Sequence, residues 1–175
     1  VQLFKFLKES LGDSCKIIAT DVQSIAPALY AADEHYLTPR IDAPNYVDTI
    51  LKIAIDNDVK AITTLIDPEI ELLAKNRDLF EEHGIIVLAP SKETAAYCFD
   101  KYKMFCYLKK NNIRTVLTYD TLEHFKEGHN KHEISFPVFI KPRTGSGSVG
   151  IHKCSNMNEL ENYFSEGKFD YIIQE

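Results

Sequence analysis

The sequence predicts an α/β protein: a doubly wound domain on a parallel sheet, followed by the opening portion of an α+β domain. Three observations carry this expectation. Through residue 90, short apolar runs of strand type alternate with helical periodicities, and such alternation implies βαβ units whose parallel sheet is covered on both faces. The helical stretches begin near proline and end at glycine, as at "PEIELLAKNRDLFEEHG" (68–84). After "AP" at 89–90 the pattern turns to a long lysine-rich helix and then to strands around a glycine run. The expected domains are therefore 1–90 and 91–175.

In the first domain "LFKFLKES" reads as the tail of a helix, as though the first strand of the sheet lay upstream. "CKIIATD" (15–21) is expected as a buried strand ending in an acid, Asp21, and "EHYLTP" (34–39) as a second strand. "PNYVDTILKIAIDNDV" (44–59) is expected as a helix opened by Pro44. Its Val47, Ile50, Leu51 and Ala54 recur at i, i+3, i+4 and i+7, the mark of one buried face. "AITTLI" (61–66), the helix at 68–84 and the strand "IIVLAP" (85–90) complete the series.

In the second domain "SKETAAYCFDKYKMFCYLKKNN" (91–112) is expected as one long helix, N-capped by Ser91. "TVLTYD" (115–120) reads as a strand, "TLEHFKE" as a short helix and "GHNKHEIS" as a polar loop. The strand "FPVFIKP" (136–142), the glycine run and "IHKC" (151–154) follow. Asn156 and Glu159 resemble a capping box that opens a helix with Leu160, Tyr163 and Phe164 on one face. "FDYIIQE" (169–175) is the final strand.

Composition excludes several function classes. A net charge of −6 is wrong for a broad nucleic-acid surface, which needs a basic face. No apolar run approaches a membrane span, and no signal peptide opens the chain. The four cysteines, Cys15, Cys98, Cys106 and Cys154, have no C-x-x-C spacing and are expected as reduced thiols, chiefly core-filling, in a cytoplasmic protein. His124, His129 and His132 fall in a polar region that reads as solvated loop rather than metal site.

The chemistry-bearing feature is "FPVFIKPRTGSGSVGIHKC", with G-x-G-x-x-G at Gly145, Gly147 and Gly150. A dinucleotide-binding turn needs a helix directly after the glycines, because the pyrophosphate sits on that helix N-terminus. Here β-like "IHKCS" follows instead. A Walker loop needs Lys-Ser/Thr after its last glycine, where this chain has Ile151 and His152. The remaining geometry is strand, glycines, strand: a hairpin whose tip can fold over a triphosphate, with backbone N–H groups and the Ser146 and Ser148 hydroxyls as donors. Lys141 ends the strand before the glycines. Alternation points its side chain away from the face of Val138 and Ile140. The plainer alternative is a connecting hairpin with a surface lysine and arginine.

Together "FPVFIKPRTGSGSVGI", "FDKYKMFCYLKKNNIRT" and "YIIQE" resemble the ATP-grasp superfamily, in particular stand-alone relatives of the carbamoyl-phosphate synthetase large chain. The resemblance covers essentially the whole chain: a Rossmann-like pre-ATP-grasp domain at 1–90 and the N-terminal, incomplete part of an ATP-grasp domain at 91–175. It implies that Lys101 contacts ATP phosphate from the helix side and that Lys141 contacts phosphate near the adenine. It implies that Thr144, Gly145, Ser146, Gly147, Ser148 and Gly150 belong to a loop closing over the β- and γ-phosphates. It further implies that Glu175 contacts the ribose or the base amino group and that Gln174 contacts the base. Arg143 either touches phosphate or pairs with an acid. Lys103, about 200° around the helix from Lys101, cannot serve the same site. Asp21 and the "DPE" at 67–69 either line the crevice of the first domain or merely cap and start local structure.

The implied activity is an ATP- and Mg²⁺-dependent ligase that joins a small carboxylate to an amine or ammonia through an acylphosphate. A nucleotide-binding module without ligase activity and an ATP-dependent phosphotransferase are the alternatives. The family's Mg²⁺ ligands come from strands beyond the glycine loop, so they are expected outside this chain, as part of a longer protein. No nucleic-acid or membrane partner is expected, and a homodimer stays open.

Overall fold

The computed structural model describes residues 2–12 and 14–175. Its internal contacts define two units, one formed by the chain up to Ile62 with Asn76–Val87, the other by Thr63–Lys75 with Leu88–Glu175.

The first unit contains α1 (Gln2–Leu11), β1 (Ile18–Asp21), α2 (Pro27–Ala31), β2 (Glu34–Leu37), α3 (Tyr46–Asp56) and β3 (Ala61–Ile62). α4 (Asp67–Lys75) belongs to the second unit, and α5 (Arg77–Glu81) and β4 (Ile86–Val87) return to the first. Its strands pair in parallel, as expected, but as two short ladders: β1 with β2 from Ile18↔Glu34 to Asp21↔Leu37, and β3 with β4 over two residue pairs. Parallel neighbours need a crossover of about a dozen residues, which α2 supplies for the first ladder. That helix has only five residues, too few to show a periodicity, and the sequence reading missed it. α3 begins at Tyr46, two residues after Pro44. It buries Tyr46, Ile50 and Ala54 at i, i+4 and i+8, leaving Val47 and Leu51 half-buried at the flank. The expected helix at 68–84 is broken at Asn76, whose ψ of 16° leaves the helical region.

The second unit continues with α6 (Lys92–Phe99), α7 (Lys101–Lys110), β5 (Thr118–Tyr119), α8 (Leu122–Asn130), β6 (Val138–Pro142), β7 (His152–Cys154), α9 (Met157–Glu166) and β8 (Tyr171–Gln174). The strands form one antiparallel sheet in the order β5-β8-β6-β7. Val138, Ile140 and Ile173 lie on one face and form a core with Phe125 of α8 and Leu160 of α9. The alternate residues Phe139, Lys141 and Gln174 turn to the other face. The capping box is present: the Asn156 side chain accepts from the Glu159 N–H at 3.0 Å, and Glu159 accepts from the Ser155 N–H at 2.8 Å.

Three expectations are corrected here. The single helix at 91–112 is two helices separated by Asp100, whose extended backbone (φ −96°, ψ 105°) ends α6 and caps α7. α8 runs on to Asn130, so His124 and His129 are helical, and Gly128 lies beneath the Tyr119 ring. Of the four cysteines only Cys154 is buried; Cys98 and Cys106 are exposed, on the solvent sides of their helices. Among the described residues no helix is long and apolar enough to cross a membrane.

Candidate functional site

The glycine run is the turn of a hairpin. β6 and β7 pair antiparallel from Val138↔Cys154 to Ile140↔His152, and α9 starts only at Met157, so no helix follows directly on the glycines. The loop is built on left-handed backbone: φ is +104° at Gly145, +68° at Gly147 and +75° at Gly150, with Ser148 at 60°. Around Gly145 and Gly147 the space where a Cβ would sit is open. At Gly150 a Cβ would come within 2.9 Å of Pro142 Cγ and 3.0 Å of Phe169 Cε2, so this glycine is needed for close packing as well as for φ.

The loop roofs a cavity of ≈ 300 Å³ in the second unit, lined by Asp67, Lys101, Lys141, Pro142 and the stretch from Thr144 to Val149. Lys101 is the first residue of α7, and its ammonium donates to the Gly145 carbonyl at 2.9 Å. Lys141 reaches the cavity from β6 and donates to the side-chain carbonyl of Gln174. Burial lowers the pKa of both lysines. Asp67 and Asp100 partly counter this at Lys101, whereas the charge of Lys101 lowers Lys141 further. Two ammonium groups close enough to repel each other, under a glycine-rich roof, make a site for an anion of more than one charge.

Asp100 and Arg143 are the sequence neighbours of the lining residues Lys101, Pro142 and Thr144. Asp100 caps α7 by accepting from the Tyr102 and Lys103 N–H groups, and both its oxygens lie 2.9 Å from Arg143 Nε. Burial pushes the Asp100 carboxyl up, but the Arg143 hydrogen bond, the Lys103 N–H and the Arg143 charge outweigh it and keep the pKa below the usual value. Arg143 is raised in turn, chiefly by its bond to Asp100.

The structure thus brings Lys101, Lys141, Thr144, Gly145, Ser146, Gly147 and Ser148 around one cavity, with Gly150 fixing the loop base. Gln174 acts at one remove, on Lys141. Arg143 pairs with Asp100 and is not among the cavity lining. Glu175 is exposed, its N–H donates to the Leu117 carbonyl, and it lines a different hollow of ≈ 440 Å³ with Phe105, Lys109 and Arg114. Lys103 does not reach the cavity. Asp21 binds the Gln23 N–H at 2.8 Å, the behaviour of a loop cap. Sequence reading missed three contributors. Asp100 was hidden inside an apparently continuous helix. Thr118, which accepts from Gln174 Nε2 at 2.8 Å, carries no local signal. Asp67 was noted only for the first domain. Among the described residues no group of three or more His, Cys, Asp or Glu side chains could hold a metal ion, and the charged side chains of the cavity lining are Lys101, Lys141 and Asp67.

Comparison with known proteins decides the family. A family model described as the PylC-like N-terminal domain matches residues 1–88, and one described as the D-ala D-ala ligase C-terminus matches residues 108–172. The chain belongs to the ATP-grasp superfamily. Among ATP-grasp relatives, it is 28% identical over 182 residues to the 2-oxoglutarate carboxylase small subunit of Hydrogenobacter thermophilus, covering 95% of this chain and 38% of that one. It is 34% identical over 80 residues to D-alanine–D-alanine ligase B of Clostridium perfringens, covering 44% of this chain and 26% of that one. The solved biotin carboxylase domain dimer of the Hydrogenobacter enzyme, in complex with MgADP, ADP and bicarbonate, superposes with a TM-score of 0.67 at 25% identity. That match covers 97% of this chain and 40% of the other. The ATP-grasp chain described here thus spans about two fifths of the carboxylase relatives it matches.

Proposed function

We propose that this chain is the triphosphate-binding portion of a cytoplasmic ATP-dependent ligase, which activates a carboxylate as an acylphosphate and transfers it to an amine or ammonia. The observation that carries the reading is the pair of cavity lysines, Lys101 and Lys141, under the glycine loop. Phosphoryl transfer demands charge neutralisation and positioning more than covalent help from the protein. Lys101 and Lys141 supply the positive charge, the backbone N–H groups of 144–150 supply donors for phosphate oxygens, and a loop closed over bound ATP would keep water from a hydrolysable acylphosphate. Mg²⁺ would neutralise further phosphate charge, held by ligands outside this chain. The names of the relatives support the same substrate class, since bicarbonate and D-alanine each offer a carboxylate-type oxygen.

The test uses the full-length protein with ATP and Mg²⁺. ADP and phosphate are expected only when a carboxylate and an amine are both present. Lys141→Ala is expected to weaken ATP binding by at least about tenfold, the scale of one charge-assisted contact, while Lys103→Ala leaves it unchanged. Failure of the full-length protein to bind ATP would sink the reading. Steady ADP release with a hydroxyl acceptor and no condensation product would identify a phosphotransferase instead.

A further inference from the structure

We propose that Asp100 is a positioning residue that sets Lys101 against the glycine loop by acting through Arg143; this rests on the reading of Lys101 as a phosphate contact. Asp100 is the single extended residue between α6 and α7 and is only 8% exposed. Its carboxylate does two separable things. Toward its own helix, Oδ1 accepts the Tyr102 and Lys103 N–H groups at 3.0 and 2.9 Å. Toward the hairpin, both oxygens take Arg143 Nε at 2.9 Å.

The neighbouring bonds turn this ion pair into a closed frame. The Lys101 N–H, freed from the helix ladder by the break, donates to the Arg143 carbonyl at 3.0 Å, and the Arg143 N–H donates to the Asp170 carbonyl at 2.8 Å. The Arg143 guanidinium also lies over the Tyr102 ring, 5.5 Å from its centroid. Lys101 is therefore tied at its backbone to Arg143 and at its ammonium to Gly145, two residues further on. Its backbone position depends on Arg143 staying where Asp100 holds it. A cap alone would not need an arginine from just past the end of β6, 43 residues away in sequence.

Asp100→Asn separates the two roles. Asparagine caps a helix about as well as aspartate, but it lacks the charge that holds the guanidinium. In the full-length protein, calorimetric titration with MgATP and with adenosine measures the phosphate contribution as the ratio of the two affinities. Asp100→Asn is expected to lower ATP affinity about tenfold, the size of one lost charge-assisted bond, with adenosine affinity close to wild type. Arg143→Gln is expected to do the same. The double variant is expected to lose no more than either single one, because residues acting as one unit are not additive. An unchanged ATP-to-adenosine ratio in Asp100→Asn, or losses that multiply in the double variant, would overturn the proposal. Arg143→Gln decides alone if Asp100→Asn does not fold. Should Lys101→Ala leave ATP affinity intact, the phosphate reading itself fails and takes this inference with it. A normal Lys101→Ala loss beside a silent Asp100→Asn rejects the positioning role only.

Discussion

The Lys141 ammonium donates to the side-chain carbonyl of Gln174, diagonally across β6 and β8, and the Gln174 amide nitrogen donates onward to the Thr118 hydroxyl at 2.8 Å. That onward bond decides the orientation of the amide: with its NH₂ committed to Thr118, only its oxygen can face the lysine. Thr118 is buried and spends its own proton on the Val116 carbonyl.

Thr118→Val keeps the shape of the side chain and removes the acceptor. The Gln174 NH₂ then lacks a partner, at a cost of about 1–2 kcal/mol in stability, and the amide is free to turn its NH₂ toward Lys141. A drop in thermal midpoint accompanied by weaker MgATP binding is expected. A variant that melts lower but binds ATP as tightly as wild type would show that Gln174 does not position the lysine.

With Lys101 and Lys141 as the proposed phosphate contacts, nucleotide binding is expected to be sensitive to alkaline pH. Lys101 and Lys141 titrate below the ordinary lysine value of 10.5, with burial the main cause in each. As pH rises through their folded values toward 10.5, the unfolded chain holds more protons than the ligand-free fold, so the stability of the ligand-free protein rises across that interval. A polyphosphate favours the charged lysines, so over the same interval ATP affinity falls and binding takes up protons. Calorimetry in alkaline buffers of different ionisation enthalpy reads the uptake directly. A flat affinity profile would count against both lysines as ligands.

Two glycines of the loop are expected to respond differently to alanine. Gly147→Ala meets open space and pays only the left-handed backbone, about 1–2 kcal/mol. Gly150→Ala adds the clash with Pro142 and Phe169 to a similar φ, for a total of about 2–4 kcal/mol. Chemical denaturation of the two variants checks the order. Equal losses would mean that the Pro142–Phe169 contact yields easily.

The hairpin and its lysine were legible because their signal is local: a lysine before the glycines and a strand pattern after them distinguish this loop from a helix-backed turn. Asp100 was not legible, because one extended residue between two lysine- and aromatic-rich helices barely disturbs the periodicity of either. Asn76 hid a second break, since a single residue with ψ of 16° leaves the flanking helical periodicity in place. The pairing of Lys141 with Gln174 depends on the register of β6 against β8, which neither strand specifies by itself. Asp67 enters the cavity from α4, far from the loop in sequence, and no spacing rule connects the two.

The two ends of the loop are fixed by different means, Arg143 by its bonds to Asp100 and Asp170, and Gly150 by its fit against Pro142 and Phe169. Residues 144–149 lie between these anchors. Six residues have a contour of about 20 Å, so a tip that must travel out and back reaches about 10 Å. A tether of that length can shade a row of phosphates but not a sugar and base as well. On the proposed function, choice among purines therefore falls to the sheet face of Lys141 and Gln174, and changes confined to the tether should alter how fast phosphates are captured without altering which base is preferred.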